Sequence, residues 1–378
     1  MRITIVQGAF LPVPPLMGGA IEKAWFVMAR HFVSQGHTVR YFSRDHNAQP
    51  ESEILDGIHF RRCKGYDTPL SPLLLKWRDL KYALRVRRQL PPADVIVPHT
   101  FWLPLLLRSE ARGKVYVHAG RFPKGQMRLY RHCARIQTVS QPVAKAIIRE
   151  CPDVTPLVKV IPYPLPFPLL ARRQVEQGER FQNKLILYAG RIHPEKGLDH
   201  LVAAFSALSQ TAVAAGWKLR LVGPWDAKHG GGGEEYKVRL EGIAKAAGGR
   251  VEFAGPVFKI DELDRHYLDA SLFVYPSVAE KGESFGLAPL EAMARGCPVL
   301  VSGLECFLDF IKPGVNGLVF DHRVNDPAEG LRKELGRILS SPGQLPAMGL
   351  RAWESAAAYE VSRVAQMYLD DFNSLIKA

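Results

Sequence analysis

The sequence predicts an α/β protein that consists of two doubly wound, Rossmann-like domains, and three observations lead to this class. The chain has 378 residues, which is too long for one comfortable hydrophobic core and suits two domains. Short apolar segments alternate with segments of helical periodicity in both halves, which is the pattern of βαβ units around a parallel sheet. A proline-rich stretch, residues 161–178, separates the halves and has the composition of a linker.

The first domain is predicted to span residues 1–165. Its first strand is expected at residues 3–6, and a loop rich in proline and glycine leads from there to a helix at residues 21–34. The remaining strands are expected at short apolar runs of the kind that parallel sheets bury, namely residues 37–43, 94–97, 114–117 and 136–139.

The second domain is predicted to span residues 166–357. Six short apolar runs alternate there with helical stretches, among them residues 198–208 and 234–247. Residues 354–376 have the pattern of one long helix, so residues 358–378 are expected to form a C-terminal helix that crosses back to the first domain. The expected strands are residues 185–188, 219–222, 251–253, 272–275, 298–301 and 317–320.

The composition is that of an ordinary globular protein, with 47% hydrophobic and 23% charged residues. No apolar run approaches the roughly 20 residues that would cross a bilayer, and the N-terminal MRITIVQG lacks the apolar core of a signal peptide. We therefore expect a cytoplasmic protein. The five cysteines are widely spaced, odd in number and without a CxxC pair, which favours reduced packing residues over disulfides or a zinc site.

The net charge is +13, and the positive excess lies mainly in the first half. Residues 60–90 hold nine Lys and Arg against two acids, and residues 108–150 hold ten against two. Such a field favours an anionic partner, whether a nucleotide sugar, a phospholipid surface, a lipopolysaccharide or a nucleic acid. A merely solvating basic surface is an equally good interpretation.

A basic loop bounded by glycines follows the strand expected at residues 185–188. Arg191 and Lys196 flank a proline-containing turn between Gly190 and Gly197, just before a helix. Helix starts attract anions through unpaired N–H groups and the helix dipole, so two cations beside such a start suit a diphosphate. Alone, the two cations are most simply solvated surface charges, but their place at the carboxyl edge of a parallel sheet favours a ligand role.

Two glutamates, Glu283 and Glu291, bracket the start of a helix expected at residues 287–295. Glu283 precedes this helix and Glu291 lies about one turn inside it. One carboxylate can accept hydrogen bonds from sugar hydroxyls and the other from ribose hydroxyls, while the amides near Gly286 face the phosphates. For the spacing alone, two surface glutamates on a capped helix are the simpler interpretation.

The segment YPSVAEKGESFGLAPLEAMARGCPVL, with LYAGRIHPEKGLDHLVAAF, resembles the GT4 family of retaining, nucleotide-sugar-dependent glycosyltransferases. Glu283 and Glu291 match the family's Glu-x7-Glu motif, and residues 190–197 match its preceding G-R-x4-K-G phrase. Residues 11–43 resemble the family more weakly, through a glycine loop, a first helix and a GH-x-V strand. The resemblance implies the GT-B fold, in which two Rossmann-like domains face each other across a cleft.

The resemblance also implies roles for individual residues. Gly18 and Gly19 would form a loop that approaches the donor phosphates from the first domain, and His118 would lie near the transferred sugar. His99 is a rival for part of that role, and Ser140 matches a family serine at a helix start, where it could be only an N-cap. The expected catalytic residues are Arg191, Lys196, Glu283 and His118, and the expected donor-binding residues are Gly18, Gly19, Gly190, Ser284, Phe285, Gly286, Leu287 and Glu291.

The chain departs from the family pattern at three places. Residues 162–165 stand where many relatives have Asn-Gly-Val-Asp, and residues 303–306 stand where the family has Gly-Gly-x-x-Glu. Glu280 is an additional acid in the loop ahead of Glu283. The hinge-side contact and the donor-sugar contacts are therefore expected to be particular to this chain.

The resemblance implies that a sugar moves, with retention of its anomeric configuration, from a nucleotide sugar to a hydroxyl of a glycan, lipid-linked or lipopolysaccharide-type acceptor. UDP-sugars are favoured as donors, and GDP-sugars are the alternative. Arg191 and Lys196 would stabilise the leaving diphosphate, and their removal should affect turnover more than folding. No Asp-x-Asp motif is present, so we expect neither a metal nor another cofactor.

Other interpretations stay open. The chain could be another GT-B enzyme, such as a nucleotide-sugar epimerase, or a non-catalytic module that binds sugar nucleotides or RNA; no RRM, KH or zinc signature supports nucleic acid. Residues 71–90 combine Leu74, Trp77, Leu80 and Leu84 with several basic residues. This pattern fits a helix that touches the inner face of a membrane, and it fits ordinary core packing equally well.

Overall fold

The computed structural model divides into two compact units, one formed by Met1–Phe167 with Tyr359–Ala378 and the other by Pro168–Ala358. Each unit contains a sheet of mainly parallel strands. Within the part of the chain that is described, no helix combines the length and the apolar composition needed to cross a bilayer. The described residues are 1–47, 49–69, 71–108 and 110–377.

An eight-stranded sheet forms the centre of the first unit. Its strands are β1 (Arg2–Val6), β2 (Thr38–Arg44), β3 (Ser52–Leu55), β4 (Ile58–Cys63), β5 (Val95–Pro98), β6 (Lys114–Ala119), β7 (Arg135–Thr138) and β8 (Val158–Val160). They lie in the order β3-β4-β2-β1-β5-β6-β7-β8. β3 pairs antiparallel with β4, whereas the other neighbours pair parallel.

Helices cover both faces of this sheet. The first four are α1 (Ala20–Ser34), α2 (Pro72–Gln89), α3 (Leu103–Leu106) and α4 (Gln141–Glu150). Trp25 and Phe32 of α1 pack in one core cluster, and Tyr82 of α2 and Ile147 of α4 pack in another. Successive side chains of a strand point to opposite faces, and helices cover both faces here, so a central strand is buried on both sides. The central strands are therefore continuous apolar runs, which made them recognisable in the sequence.

Six strands form a parallel sheet in the second unit. They are β9 (Leu185–Ala189), β10 (Lys218–Val222), β11 (Val251–Gly255), β12 (Leu272–Tyr275), β13 (Val299–Ser302) and β14 (Leu318–Phe320). Their order is β11-β10-β9-β12-β13-β14, which is that of a Rossmann fold. The order reverses between β9 and β12, and in such sheets ligands bind beyond the carboxyl ends of the strands at this point.

The helices of the second unit follow its strands in alternation. They are α5 (Arg172–Glu176), α6 (Leu198–Ser209), α7 (Glu234–Ala244), α8 (Ile260–Asp269), α9 (Leu287–Ala294), α10 (Pro327–Ser340) and α11 (Leu345–Ala356). All five cysteines of the chain are buried thiols outside disulfides.

The prediction of one helix over residues 354–376 is wrong. α11 ends at Ala356, a 3-10 turn covers Ala357–Tyr359, and α12 (Val361–Lys377) follows. The backbone N–H of Leu165 donates to the carbonyl of Tyr359 at 2.8 Å and holds this turn. The helical periodicity continues through the break because both helices bury an apolar face, and neither proline nor glycine marks the turn.

The helix α12 packs within the first unit. The ring of Tyr368 lies 5.1 Å from that of Trp25, measured between centroids. Asp371 is buried and accepts hydrogen bonds from the hydroxyl of Tyr116 at 2.9 Å and from two nitrogens of Arg135 at 2.7 and 3.1 Å. The last helix is therefore part of the core of this unit, and its buried carboxylate is fully hydrogen-bonded.

Three strands of the first unit were missing from the sequence predictions. β3 and β4 form a hairpin around Asp56 and Gly57, which have φ of 52° and 75°. Positive φ at both central residues is what Asp-Gly hairpin turns require, so this dipeptide was the available signal. β8 has three residues and lies at the sheet edge, which is too short for a period to show.

Candidate functional site

The predicted site residues of the second unit lie on two loops at the carboxyl edge of its sheet. One loop, residues 190–197, joins β9 to α6, and the other, residues 276–286, joins β12 to α9. Because β9 and β12 are hydrogen-bonded neighbours, these loops emerge side by side. The carbonyl of Glu195 accepts hydrogen bonds from the N–H of Val278 at 3.0 Å and from the hydroxyl of Ser277 at 3.3 Å. The loops are therefore joined at the switch point of the sheet.

Lys196 and Glu283 form a buried ion pair across the two loops. The distance from Lys196 Nζ to Glu283 Oε2 is 2.7 Å, and the side chains are only 7% and 12% exposed. Lys196 Nζ also lies 5.6 Å from the centre of the Tyr275 ring. Burial acts to lower the pKa of Lys196, but the groups around it, chiefly the Glu283 carboxylate, together outweigh burial, and the pKa lies above its ordinary value. Lys196 is thus positively charged at neutral pH.

Arg191 lies at the start of the same loop and is half-exposed. Its Nη1 donates to the carbonyl of Gly230 at 2.6 Å, and its Nη2 pairs with Glu195 Oε1 at 2.7 Å. The same oxygen of Glu195 is 3.9 Å from Lys196 Nζ. Glu195 therefore stands between the two cations, and the sequence analysis did not single it out. Its spacing of four residues from Arg191 was the available signal.

The position directly before the helix α9 requires a glycine. Gly286 precedes the helix with φ of 94°, and a Cβ there would lie 2.4 Å from a ring carbon of Phe307. Glu291, one turn inside the helix, is buried, and its Oε2 accepts a hydrogen bond from the Tyr267 hydroxyl at 2.8 Å. The structure thus orients Glu291 through α8, while Glu283 lies on the loop ahead of α9.

The other predicted donor-binding residues of this unit differ in their surroundings. Gly190 directly follows β9 and donates its N–H to the carbonyl of Val222 at 2.9 Å. Ser284 and Leu287 are half-buried. Phe285 is buried, and its ring lies 5.4 Å from that of Phe310, measured between centroids.

His118 lies in the first unit, near the end of β6, and is buried in a hydrogen-bond network. Its Nδ1 is 2.5 Å from Gln137 Oε1, and its Nε2 is 3.2 Å from the Tyr163 hydroxyl. Gln137 Nε2 donates to the carbonyls of Thr138 and Ile161, both at 2.7 Å, so Oε1 is the acceptor and His118 Nδ1 carries the hydrogen. Nε2 then accepts from Tyr163. Burial lowers the pKa of His118 to about 4, against a smaller opposing effect of Gln137.

His99 lies beside this network, and Ser140 lies at the start of a helix. The His99 ring is 4.9 Å from that of His118, and burial, followed by the charge of His118, lowers its pKa well below the ordinary value. Neither ring nitrogen of His99 has a hydrogen-bond partner among the described residues. Ser140 occupies the N-cap position of α4, but its hydroxyl makes no cap bond and is buried without a partner within the same residues.

The glycine loop of the first unit lies against a buried carboxyl group. Gly18 and Gly19 have φ of 75° and 99°, and a Cβ on Gly19 would lie 2.1 Å from Glu22 Oε2. Glu22 Oε1 accepts from Gln7 Nε2 at 2.8 Å, and Gln7 Oε1 accepts from the Tyr41 hydroxyl at 2.9 Å. Burial raises the pKa of Glu22 to about 7. The sequence signal for Glu22 was an acidic residue in the first turn of a helix that directly follows two glycines.

Two departures from the family pattern acquire partners in the structure. Residues 162–165 supply Tyr163, which donates to His118 Nε2. Glu280 is not a lone carboxylate, because it pairs with His322 at 3.0 Å and with Arg323 at 2.8 Å. None of these three partners was apparent from the sequence, since each lies more than 40 residues away along the chain.

Part of the chain, within the second unit, matches a family model. Residues 172–349 match the family model described as "Glycosyl transferases group 1". The D-inositol 3-phosphate glycosyltransferase of Salinispora tropica is 32% identical over 213 residues, which are 55% of this chain and 41% of that protein. The chain thus spans less than half the length of the curated relatives it matches. These findings agree with the predicted resemblance in its coarse form, that of a glycosyltransferase.

Two solved structures share the fold over essentially the whole chain. Sucrose-phosphate synthase from Thermosynechococcus elongatus superposes with a TM-score of 0.79 at 20% identity, covering 100% of this chain and 99% of that one. Anabaena Alr3699/HepE in complex with UDP-glucose superposes with a TM-score of 0.70 at 19% identity, covering 99% and 100%. With the two parallel sheets, these similarities confirm the predicted fold class, α/β of the GT-B type.

Proposed function

We propose that this protein is a retaining glycosyltransferase that moves a sugar from a nucleotide sugar to a hydroxyl group of its acceptor. The observation that carries the proposal is the buried pair of Lys196 and Glu283 at the switch point of the second sheet, with Arg191 on the same loop. The match of residues 172–349 to a glycosyltransferase family model supports it.

The chemistry follows from the charges at this point. A leaving diphosphate carries negative charge, and Arg191 and Lys196 stabilise that charge as the bond to the sugar breaks. Glu195 and Glu283 neutralise the two cations in this structure, so a diphosphate takes the place of carboxylate partners. Glu283 then accepts hydrogen bonds from the hydroxyls of the sugar. The acceptor attacks from the face that the diphosphate leaves, and a phosphate oxygen takes its proton, so no nucleophile from the protein is needed.

The donor is proposed to be a UDP-sugar, with GDP-sugars as the alternative. The complex of HepE with UDP-glucose supports this choice, because that protein shares the fold. Glu291, oriented by Tyr267, is the proposed partner of the ribose hydroxyls. We also propose that no divalent metal is required, because Arg191 and Lys196 supply the positive charge. Addition of EDTA should leave turnover unchanged, and loss of turnover that magnesium restores would contradict this point.

Calorimetric titration of the wild-type protein with UDP, GDP, ADP and their sugars tests the donor. We expect UDP to bind, and the variant Lys196→Ala to weaken it. Lys333→Ala is the matched control, because Lys333 lies on the exposed face of α10. The anomeric configuration of the transferred sugar, followed by NMR, tests retention. Failure of every nucleotide and nucleotide sugar to bind the wild-type protein would overturn the proposal.

The acceptor is proposed to be lipid-linked, because α2 presents an apolar and basic face to solvent. Leu73 and Trp77 are 81% and 52% exposed, and Lys81 Nζ lies 3.4 Å from the centre of the Trp77 ring. The opposite face of α2 carries Tyr82 and Val86 into the core, so the helix both packs and leaves an apolar face uncovered by the described residues. Apolar residues flanked by cations suit an anionic lipid surface. This supports a peripheral position on the inner face of a membrane.

Sedimentation with vesicles of phosphatidylglycerol or of phosphatidylcholine tests this surface. We expect binding to the anionic vesicles at low salt, and we expect the double substitution Leu73→Ser and Trp77→Ser to weaken it at least about tenfold, since burial of apolar area contributes to such binding. Val238→Ser is the matched control, because Val238 is a similarly exposed apolar residue of the second unit. Equal recovery of wild-type protein with both lipids, or none with either, would contradict the membrane role.

A further inference from the structure

We propose that Arg323 and Glu280 form a tie between two loops of the second unit, and that this tie determines which donor sugar the enzyme accepts. The inference rests on the proposed function, because it presumes a nucleotide sugar beside Lys196 and Glu283. Arg323 and Glu280 act here as positioning residues, through the loops that they hold.

A single guanidinium group makes the tie. Arg323 Nε lies 2.8 Å from Glu280 Oε1, and Arg323 Nη2 lies 3.1 Å from Glu280 Oε2, so both carboxylate oxygens are engaged. The remaining nitrogen, Nη1, donates to the carbonyl of Gly303 at 2.8 Å. Glu280 belongs to the loop between β12 and α9, and Gly303 to the connection between β13 and β14. Arg323 therefore joins two loops at the carboxyl edge of the sheet.

Two neighbouring residues hold Glu280 and Arg323 in place. His322 is almost completely buried, and its Nε2 lies 3.0 Å from Glu280 Oε1. The N–H of Arg323 donates to Asp321 Oδ1 at 2.9 Å and fixes the backbone that carries the guanidinium. Partial burial acts to raise the pKa of Glu280, but hydrogen bonds from Arg323 and His322 outweigh it and hold the pKa below its ordinary value. The carboxylate of Glu280 is therefore charged at neutral pH.

The position of Glu280 is transmitted to Glu283 by a tight turn. The carbonyl of Ala279 accepts hydrogen bonds from the N–H of Gly282 at 3.0 Å and from that of Glu283 at 2.9 Å. Glu280 lies inside this turn, so we expect a displacement of its side chain to shift the backbone that leads to Glu283. Glu283 is the proposed partner of the sugar hydroxyls, and its loop and the Gly303 segment are the two that the tie spaces. We expect their separation to set the space that is left for the sugar.

An ordinary surface ion pair would not have this consequence. Glu280 and Arg323 are 52% and 49% exposed, so their attraction adds little to stability. The pair of Arg332 and Glu329 on α10 is also bidentate, at 2.6 and 2.7 Å, but it joins two residues of one helix and ties no loops. Arg332→Ala is therefore a matched control for Arg323→Ala.

The experiment measures donor kinetics and UDP affinity for wild type, Arg323→Ala, Arg323→Lys, Glu280→Gln and the double variant Arg323→Ala with Glu280→Gln. We expect Arg323→Ala to raise the KM for the donor about tenfold, because a small shift of a binding group is costly, with the Kd of UDP changed less than about twofold. The ratio of kcat/KM for UDP-glucose and UDP-N-acetylglucosamine should shift by a similar factor. Arg323→Lys keeps the positive charge but loses the bidentate guanidinium group, so its donor KM should lie between those of wild type and Arg323→Ala. The melting temperature should not change in any of these variants.

Coupling between the two residues separates a tie from two independent effects. The double variant should be no worse than the more affected single variant, because either change alone already breaks the tie. The inference is overturned if the donor KM and the sugar ratio of the single variants stay within twofold of wild type, or if their effects add. If the wild-type protein binds no nucleotide sugar, the proposed function fails and this inference fails with it. If the enzyme is active and the variants behave like wild type, only the role of the tie is contradicted.

Discussion

Lys196 Nζ lies 2.7 Å from Glu283 Oε2, and both side chains are almost completely removed from solvent. The two residues come from loops that follow neighbouring strands, β9 and β12, at the switch point of the second sheet. A buried ion pair contributes little net stability, since desolvation offsets the attraction, but removal of one partner leaves the other charge buried alone. This pair therefore couples the candidate site to the stability of the unit that carries it.

Single substitutions of this pair should destabilise the protein. Lys196→Ala and Glu283→Gln should each lower the free energy of unfolding, by up to about 3–5 kcal/mol, because an uncompensated buried charge remains. Replacement of both residues should cost less than the sum of the single effects. Thermal unfolding of the four proteins, with Lys333→Ala as the control, checks this. Single variants as stable as wild type would show that water reaches the pair.

Arg191 should behave differently from Lys196. Its side chain is 44% exposed and bonds to Glu195 and to the carbonyl of Gly230, so Arg191→Ala should change stability by less than about 0.5 kcal/mol. Turnover should fall at least about 100-fold, because a cation that stabilises the leaving diphosphate is lost. Steady-state kinetics and a melting curve on one preparation check both points. From the sequence, both cations were predicted to matter more for turnover than for folding; because Lys196 is buried, we now expect this of Arg191 alone.

Glu22 should make the stability of the protein depend on pH. Its pKa is about 7 in the folded protein and 4.5 as an ordinary glutamate, so the folded state binds the extra proton between these values. Stability from this group is complete below pH 4.5 and is lost as the pH rises through 7, by about 3 kcal/mol in total. Glu22→Gln should remove this slope and be more stable than wild type at pH 8.

Calorimetric melting between pH 4.5 and 8 measures the slope. Glu235→Gln is a matched control, because Glu235 also lies in the first turn of a helix but is exposed. The prediction fails if wild type and Glu22→Gln show the same change of melting temperature with pH.

His118 should stay neutral through the physiological range, with its hydrogen on Nδ1. Burial brings its pKa to about 4, below the ordinary 6.5, so its stabilising effect is complete above pH 6.5 and is lost as the pH falls toward 4. Nitrogen-15 NMR of the imidazole should show a protonated Nδ1 and a bare Nε2 at pH 7. Gln137→Leu removes the acceptor that selects this tautomer and should alter the spectrum. An imidazolium signal from His118 at pH 6 would contradict the assignment.

Local patterns in the sequence were enough to predict the elements that carry the candidate site. The strands β9 and β12 are buried on both faces and therefore read as continuous apolar runs, and the glycines and prolines of residues 190–197 and 276–286 mark the loops after them. The hairpin of β3 and β4 could have been predicted from the Asp56-Gly57 turn signal, but it was not. The break between α11 and α12 could not be predicted from the sequence, because the amphipathic spacing is the same on both sides of it.

Periodicity and turn residues are local properties, so they were enough to predict two α/β domains with mainly parallel sheets and to place Arg191, Lys196 and Glu283 on loops at a carboxyl edge. Which side chains pair with each other is known from the folded chain alone: Lys196 with Glu283, His118 with Tyr163, and Arg323 with Glu280. These partners lie 87, 45 and 43 residues apart in the chain. Hydrogen bonds and ion pairs act over a few ångströms, so their choice depends on which segments the packing of the sheets brings together.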